Sequence, residues 1–398
     1  MFAFCFCFPQ TLYSTMLHAG RADAEGKAKI EPFINSLIKR FNECYTPTSF
    51  LSIDEMIIGF KGRFMYIQFN QTKPKKYHIK AFGLTDSSSG YVLNLLVYFG
   101  ANTSYDPRAA DLDGNAVKIF DSLVPVLGPD ASGFTIFCDR WYTTKLLLDY
   151  SLRKRFYLTA TVQARRKGFP ADLKTLKLSH GDQRYWLSDD KNIMVCAFQD
   201  KKAKKHVIMA STDATNDSVI VKAGKGTKSK PEIIDKYNQY MNGCDRADQN
   251  IGYYGLHTRR STKWWKKIFF WVLEITVSNA FVLFKQTRQR PLTHAAAEKL
   301  TLKIFKKALI NQLEAKAAQM EDTTEPPRKT VGRPPKESPL QRKTPGMHLI
   351  EHAGPRNDRR CVVCSTPENP RRAQYICGTC PNKPHLHPKD CFFKFHKQ

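Results

Sequence analysis

Five of the eleven cysteines lie after residue 360, and they recur at fixed intervals. Cys361 and Cys364 form one Cys-x2-Cys pair and Cys377 and Cys380 a second, followed by His385, His387, Cys391 and His396. Two such pairs present thiolates at the spacing that a tetrahedral zinc ion takes. A segment this short cannot build a core of its own, so it must fold around metal. The eight candidate ligands suffice for two Zn2+. Their order leaves the pairing open between two sequential sites and a cross-brace. Residues 359–398 therefore read as a zinc-binding module, and the rest of the chain must find its core elsewhere. The other cysteines, Cys5, Cys7, Cys44, Cys138, Cys196 and Cys244, are scattered, unlike the dense framework of a secreted disulfide domain. An intracellular protein is expected. Residues 1–16 are apolar but carry no Lys or Arg, so a signal peptide is not read there. Residues 1–26 are expected to be disordered and to lie ahead of the fold.

The body of the chain has apolar patterning for an α/β domain. Apolar residues recur at helical spacing over 24–44, at Ile30, Phe33, Ile34, Leu37, Ile38 and Phe41. Strands are predicted at 49–58, 77–84 and 91–99, the last two joined by the turn signal at 86–90. A helix over 116–127, a strand at 133–138, a helix over 143–155 and a strand at 156–162 follow. This order predicts a mixed sheet with helices on its faces, begun by residues 27–162. Residues 163–230 turn basic, with short strands at 184–187, 193–199 and 205–211, and read as a β-rich insertion domain. Helical pattern resumes at 231 and runs past 248, with further helices at 262–286 and 292–320. Residues 231–320 thus complete the core and add a helical DNA-binding segment. The apolar run 268–284 is interrupted by Glu274, Ser278 and Asn279, so it reads as a core helix, with no membrane partner. Residues 321–358, rich in Pro, Lys, Arg and Thr, read as a flexible linker. Within it Gly332-Arg333-Pro334-Pro335-Lys336 resembles an AT-hook, whose Arg333 suits a narrow minor groove.

Charge narrows the partner. The 398 residues hold 63 Lys and Arg against 36 Asp and Glu, a formal net charge of +27. A polyanion would relieve that self-repulsion, with nucleic acid ahead of an anionic membrane surface. Basic residues cluster at Lys61 and Arg63, at Lys73, Lys75 and Lys76, and at Arg259, Arg260, Lys263 and Lys266, the last interleaved with Trp264 and Trp265. These can neutralise phosphates, and a Trp can stack on an unpaired base; equally, one of the two Trp can simply begin the core helix. Against this background two acidic residues stand out. Asp54 lies inside one apolar strand and Asp139 ends another, although acidic residues are depleted in strands. On neighbouring strands the two carboxylates would repel unless a cation lay between them, and Mg2+ takes such oxygen ligands. Asp245 or Asp248, three apart and so on one helical face, supplies a third carboxylate. Such a set can hold two metals for in-line displacement at phosphorus.

These residues lie in motifs that, in order, resemble the piggyBac transposase family: Ser52-Ile53-Asp54-Glu55 with Gly59 to Arg63; Lys73 to Lys80; Asp86 to Tyr91; Cys138-Asp139-Arg140-Trp141-Tyr142-Thr143-Thr144; Gly243 to Gln249; and Lys263-Trp264-Trp265. The resemblance covers about residues 27–290 and the C-terminal module. It implies an RNase H-like catalytic core and a DDD triad at Asp54, Asp139 and Asp245, with Asp248 a fourth acidic ligand and two Mg2+ as cofactor. It further implies cleavage and strand transfer at TTAA sites through hairpin intermediates, DNA as partner, a homodimer and a nuclear location. It places His387 where relatives often carry Cys. The sequence departs from the family in having Arg140 where Asn is common, and in the near absence of the N-terminal region that members use for DNA and dimer contacts. The alternative is a non-catalytic domesticated DNA- or chromatin-binding protein, with chromatin proteins among its partners.

Overall fold

The computed structural model describes residues 27–28, 30–107, 112–200, 203–213, 218–223, 226–287, 301–323, 348–355 and 357–397. The expected disordered start and the AT-hook-like segment with Arg333 lie outside them. The chain divides into two compact units, Met1–Leu309 and Ile310–Gln398.

The larger unit is built on one nine-stranded mixed sheet. Helix α1 (Glu31–Cys44) opens it, burying Phe33, Ile34, Leu37 and Phe41 on the stripe that their spacing predicts. Strands β1 (Phe50–Gly59), β2 (Gln68–Phe69), β3 (Tyr77–Asp86) and β4 (Val92–Val97) follow, β1, β2 and β4 all pairing antiparallel with β3. The β3–β4 turn closes on Asp86, whose Oδ1 accepts the Ser88 and Ser89 N–H groups at 2.9 and 3.0 Å, while Gly90 takes φ +73°. Helix α2 (Asn115–Leu123), continued by a short 3₁₀ turn, leads to β5 (Thr135–Cys138). Helix α3 (Lys145–Arg153), capped by the Thr144 hydroxyl accepting from the Leu147 N–H, leads to β6 (Tyr157–Thr161). Strands β5 and β6 run parallel to β1, so the sheet is of the mixed, RNase H-like kind.

Strands β7 (Gln183–Leu187), β8 (Met194–Phe198) and β9 (Val207–Ser211) form as expected, but not as a sheet apart. β9 pairs with the open edge of β6, where the Thr159 and Ser211 hydroxyls meet at 2.8 Å, and the sheet order is β2-β3-β1-β5-β6-β9-β8-β7. The boundary expected at residue 163 therefore runs through one continuous sheet. Among the described residues of this unit, the hairpin β10 (Ser218–Ala223) and β11 (Gly226–Pro231) stands separately; it was not among the expected strands, although β10 carries the β-branched run Val219-Ile220-Val221.

The helical pattern from 231 is two helices rather than one, α4 (Glu232–Tyr240) and α5 (Gly243–Gly252). The break lets Gly243 lie flat on the sheet, where a Cβ would overlap the Ser52 and Thr85 hydroxyls. Helix α6 (Trp264–Thr287) is long and apolar enough to cross a membrane, yet two thirds of its most apolar stretch is buried in the protein. Asn279 and Glu274, two of its buried polar residues, have internal partners. Asn279 bonds both the N–H and the C=O of Val92 at 2.9 Å, satisfying the edge of β4. Glu274 accepts from the Leu256 N–H and from Lys306 Nζ, each at 2.6 Å. Helix α7 (Leu302–Thr323) begins with Leu302, Phe305 and Leu309 packed against Ala280 and Phe281 of α6; residues 292–300 of the expected helix lie outside the described residues.

Candidate active site and metal centres

The parallel register of β1 and β5 pairs Ile53 with Cys138. The next residue along each segment is an aspartate, so Asp54, still in β1 and paired with Gly83, and Asp139, just past the end of β5, stand side by side. β5 ends there, and β1 beyond Ile53 is paired only with β3. Helix α5 lies across β1 and β3, held close by Gly243 and by Cys244, whose Sγ is 3.4 Å from both the Gly83 carbonyl and the Thr85 hydroxyl. That seating puts Asp245 in the first turn of α5 and Asp248 one turn later.

Peptide N–H groups fix three of the four carboxylates. Asp54 accepts from Glu55 at 2.7 Å, Asp139 from Trp141 at 2.6 Å and Asp248 from Ile57 at 3.4 Å. Burial pushes the Asp54 carboxyl up to about 7; the Glu55 N–H bond opposes this, and the charges of Asp139, Asp245 and Glu55 add to it. Burial likewise pushes Asp248 up to about 7, against the Ile57 N–H and the Lys75 charge. Asp245 is exposed at the mouth. An all-carboxylate set whose members repel one another has the donor chemistry of a hard divalent cation. The spacing is open: no three of these carboxylates come as close together as the ligands of the Cys/His groups below.

The predicted phosphate contacts divide. Lys61, Arg63, Lys75, Lys76, Arg259, Arg260, Lys263 and Lys266 are exposed, and Lys73 is half-buried. Lys75 links two of the clusters, its Nζ 3.4 Å from His257 Nε2, and burial with that neighbouring charge pushes His257 down to about 4. Trp264 takes the packing alternative: its ring lies 5.0 Å from Phe64 and 5.7 Å from Phe99, against the core.

In the smaller unit the candidate ligands fall into two groups. Cys361, Cys364, His387 and Cys391 form one group, and His348, Cys377, Cys380 and His396 a second, the ligand atoms in each within 4.8 Å of one another. The order along the chain is interleaved, a cross-brace. S···N separations of 3.3 Å (Cys364–His387), 3.5 and 3.6 Å (Cys380 and Cys377 to His348) and 3.6 Å (Cys380–His396) match the edge of about 3.6 Å that roughly 2.3 Å Zn–S and 2.1 Å Zn–N bonds give in a tetrahedron. The second ring nitrogens of His387 and His396 meet the Arg372 and Phe392 carbonyls at 2.9 and 2.8 Å, which orients both rings. His385 is in neither group; its Nδ1 meets the Ala373 carbonyl at 3.0 Å. Its place is taken by His348, inside the segment expected to be linker. A lone histidine thirteen residues before Cys361 has no spacing signature, whereas His385 sits in a His-x-His pattern that mimics one.

A family model described as Transposase IS4 matches residues 13–281, well over half of the chain and starting inside the stretch expected not to match. The chain belongs to this transposase family. Human piggyBac transposable element-derived protein 3 is 25% identical over 402 residues, covering 98% of this chain and 63% of that protein. Human piggyBac transposable element-derived protein 2 is 25% identical over 274 residues, covering 65% and 44%. The fold of the transposase core matches that of a piggyBac transposase solved as a synaptic complex with hairpin DNA, with TM-score 0.61 and 21% identity over 81% of this chain and 63% of that one. The chain thus spans less than two thirds of the length of these relatives.

Proposed function

We propose that this chain is a piggyBac-type DNA transposase that cleaves and joins phosphodiesters at TTAA sites, with Asp54, Asp139 and Asp245 as its DDD triad and Asp248 beside them. The observation that carries this reading is the adjacency of Asp54, on β1, and Asp139, directly after the parallel strand β5, with α5 laid across β1 and β3. These aspartates would hold two Mg2+, which when bound supply an activated water or 3′-hydroxyl and a counter-charge for the leaving oxygen. The chain positions its own groups for this. Peptide N–H groups aim Asp54 and Asp139, and a proton retained at Asp54 near neutral pH must leave before the carboxylate can serve as a ligand. Lys61, Arg63, Lys73, Lys75, Lys76, Arg259, Arg260, Lys263 and Lys266 would track the phosphates of the element ends. The smaller unit would carry two structural Zn2+. A homodimer acting in the nucleus completes the proposal.

The human relatives are named as transposable element-derived proteins, which favours a second reading: a domesticated binder of DNA and chromatin that has kept the fold without the reaction. Nicking of a TTAA-containing supercoiled plasmid in Mg2+ or Mn2+, with Asp139→Asn alongside, separates the two. Metal-dependent nicking abolished in the variant is expected. Nicking unchanged by the substitution would sink the triad, and a folded, DNA-binding preparation that never nicks would leave the binder.

A further inference from the structure

We infer that Trp141 is a base-stacking residue that holds an unpaired nucleobase beside the reacting phosphate. This rests on the proposed transposase reading and adds to it a positioning residue outside the acidic set. Trp141 is a large aromatic side chain 44% exposed to solvent at the edge of the catalytic carboxylates. Its peptide N–H donates to Asp139 Oδ1 at 2.6 Å, which ties the backbone at this position to that carboxylate. From the other side Arg166 Nη2 donates to the Arg140 and Trp141 carbonyls at 2.5 and 3.0 Å. The backbone is therefore held on both sides, and a backbone already held costs less to order when a base docks on its side chain.

The surroundings of the indole point to the same use. Lys80 Nζ lies 4.7 Å from its centroid and is paired with Glu55. The Phe82 ring lies nearly parallel at 6.2 Å and Tyr142 meets it edge-on at 4.9 Å. Phe82 and Tyr142 are buried, so they support the indole from within while leaving it partly open to solvent. Beyond Ile53 the β1 edge has no strand on the β5 side, so nothing in the sheet closes the approach to Asp54 and Asp139. Arg140, exposed next to Trp141, is available to the flanking phosphate. A supported, part-exposed indole flanked by cations is the arrangement in which base–aromatic stacking contributes most, and it is indifferent to base identity.

The test compares two oligonucleotide duplexes, one fully paired and one with a single unpaired 2-aminopurine at the TTAA end, using the full chain and its Trp141→Ala, Trp141→Phe and Asp139→Asn variants. Dissociation constants and 2-aminopurine quenching are read in Ca2+, and kcat and KM in Mg2+. Wild type is expected to prefer the unpaired duplex and to quench it. Trp141→Ala should lose about 5- to 150-fold in affinity for that duplex alone, with the paired duplex and the melting temperature unchanged, and Trp141→Phe should recover most of the loss. Equal binding of the unpaired duplex by wild type and Trp141→Ala overturns the inference. So does an equal loss on both duplexes, which would mark a structural role. A preparation that shows the Trp141-dependent preference but never cleaves would retain the stacking site and discard the catalytic reading.

Discussion

Asp54 is held in the fold at a cost that depends on pH. Its carboxyl is pushed up to about 7, above the ordinary value near 3.9, so between those values the folded chain keeps a proton that the unfolded chain has lost. The associated stability is full at low pH and falls as pH rises through about 7. Asp54→Asn removes that dependence. In magnesium-free buffer with zinc retained, the variant should melt above wild type by on the order of 5 °C at pH 8 and by little near pH 4. A difference equal at both pH values in scanning calorimetry would refute the burial argument. The same contrast made the residue legible in the sequence: an aspartate in the run Leu51-Ser52-Ile53-Asp54 has no packing reason to be there. Asp139 was legible for the same cause. Trp141 was not, because an aromatic after a strand is ordinarily core, and only its 44% exposure separates it from Tyr142, which is buried.

Among the elements, regular strands and helices followed their periodicity, and the misses have local physical causes. The α4–α5 break was hidden because apolar spacing runs on through Met241-Asn242 and only the contact of Gly243 with Ser52 and Thr85 demands an interruption. Strand β11 was missed because Lys, Ser, Gly and Thr dominate it, and its partner β10, although it carries Val219-Ile220-Val221, was passed over within a basic, glycine-rich stretch. In the zinc unit the Cys-x2-Cys pairs announced themselves, but the eighth ligand did not. His348→Ala should therefore lower bound zinc from two ions to one or fewer, while His385→Ala keeps two, as counted by native mass spectrometry. Two ions retained in His348→Ala would return the ligand role to His385.

At the scale of the whole molecule, the net charge of +27 and the exposed basic clusters predict association that weakens steeply with salt. Replacing the exposed pair Arg259 and Arg260 by Ala should reduce the slope of log K against log salt by about 2, near 0.9 for each lost phosphate contact. Trp264→Phe, which alters a packed ring, should leave the slope unchanged. An unaltered slope in the double variant, measured by fluorescence anisotropy, would move the DNA path away from this segment. The acidic cluster has its own consequence at this scale. Residues 54, 139 and 245 come from two strands and a helix that meet only when β1 has found both β3 and β5 and α5 has settled across them. Until those segments have come together, the chain has the acids but not their arrangement. The fold therefore works as an interlock: no one segment holds the acidic set on its own.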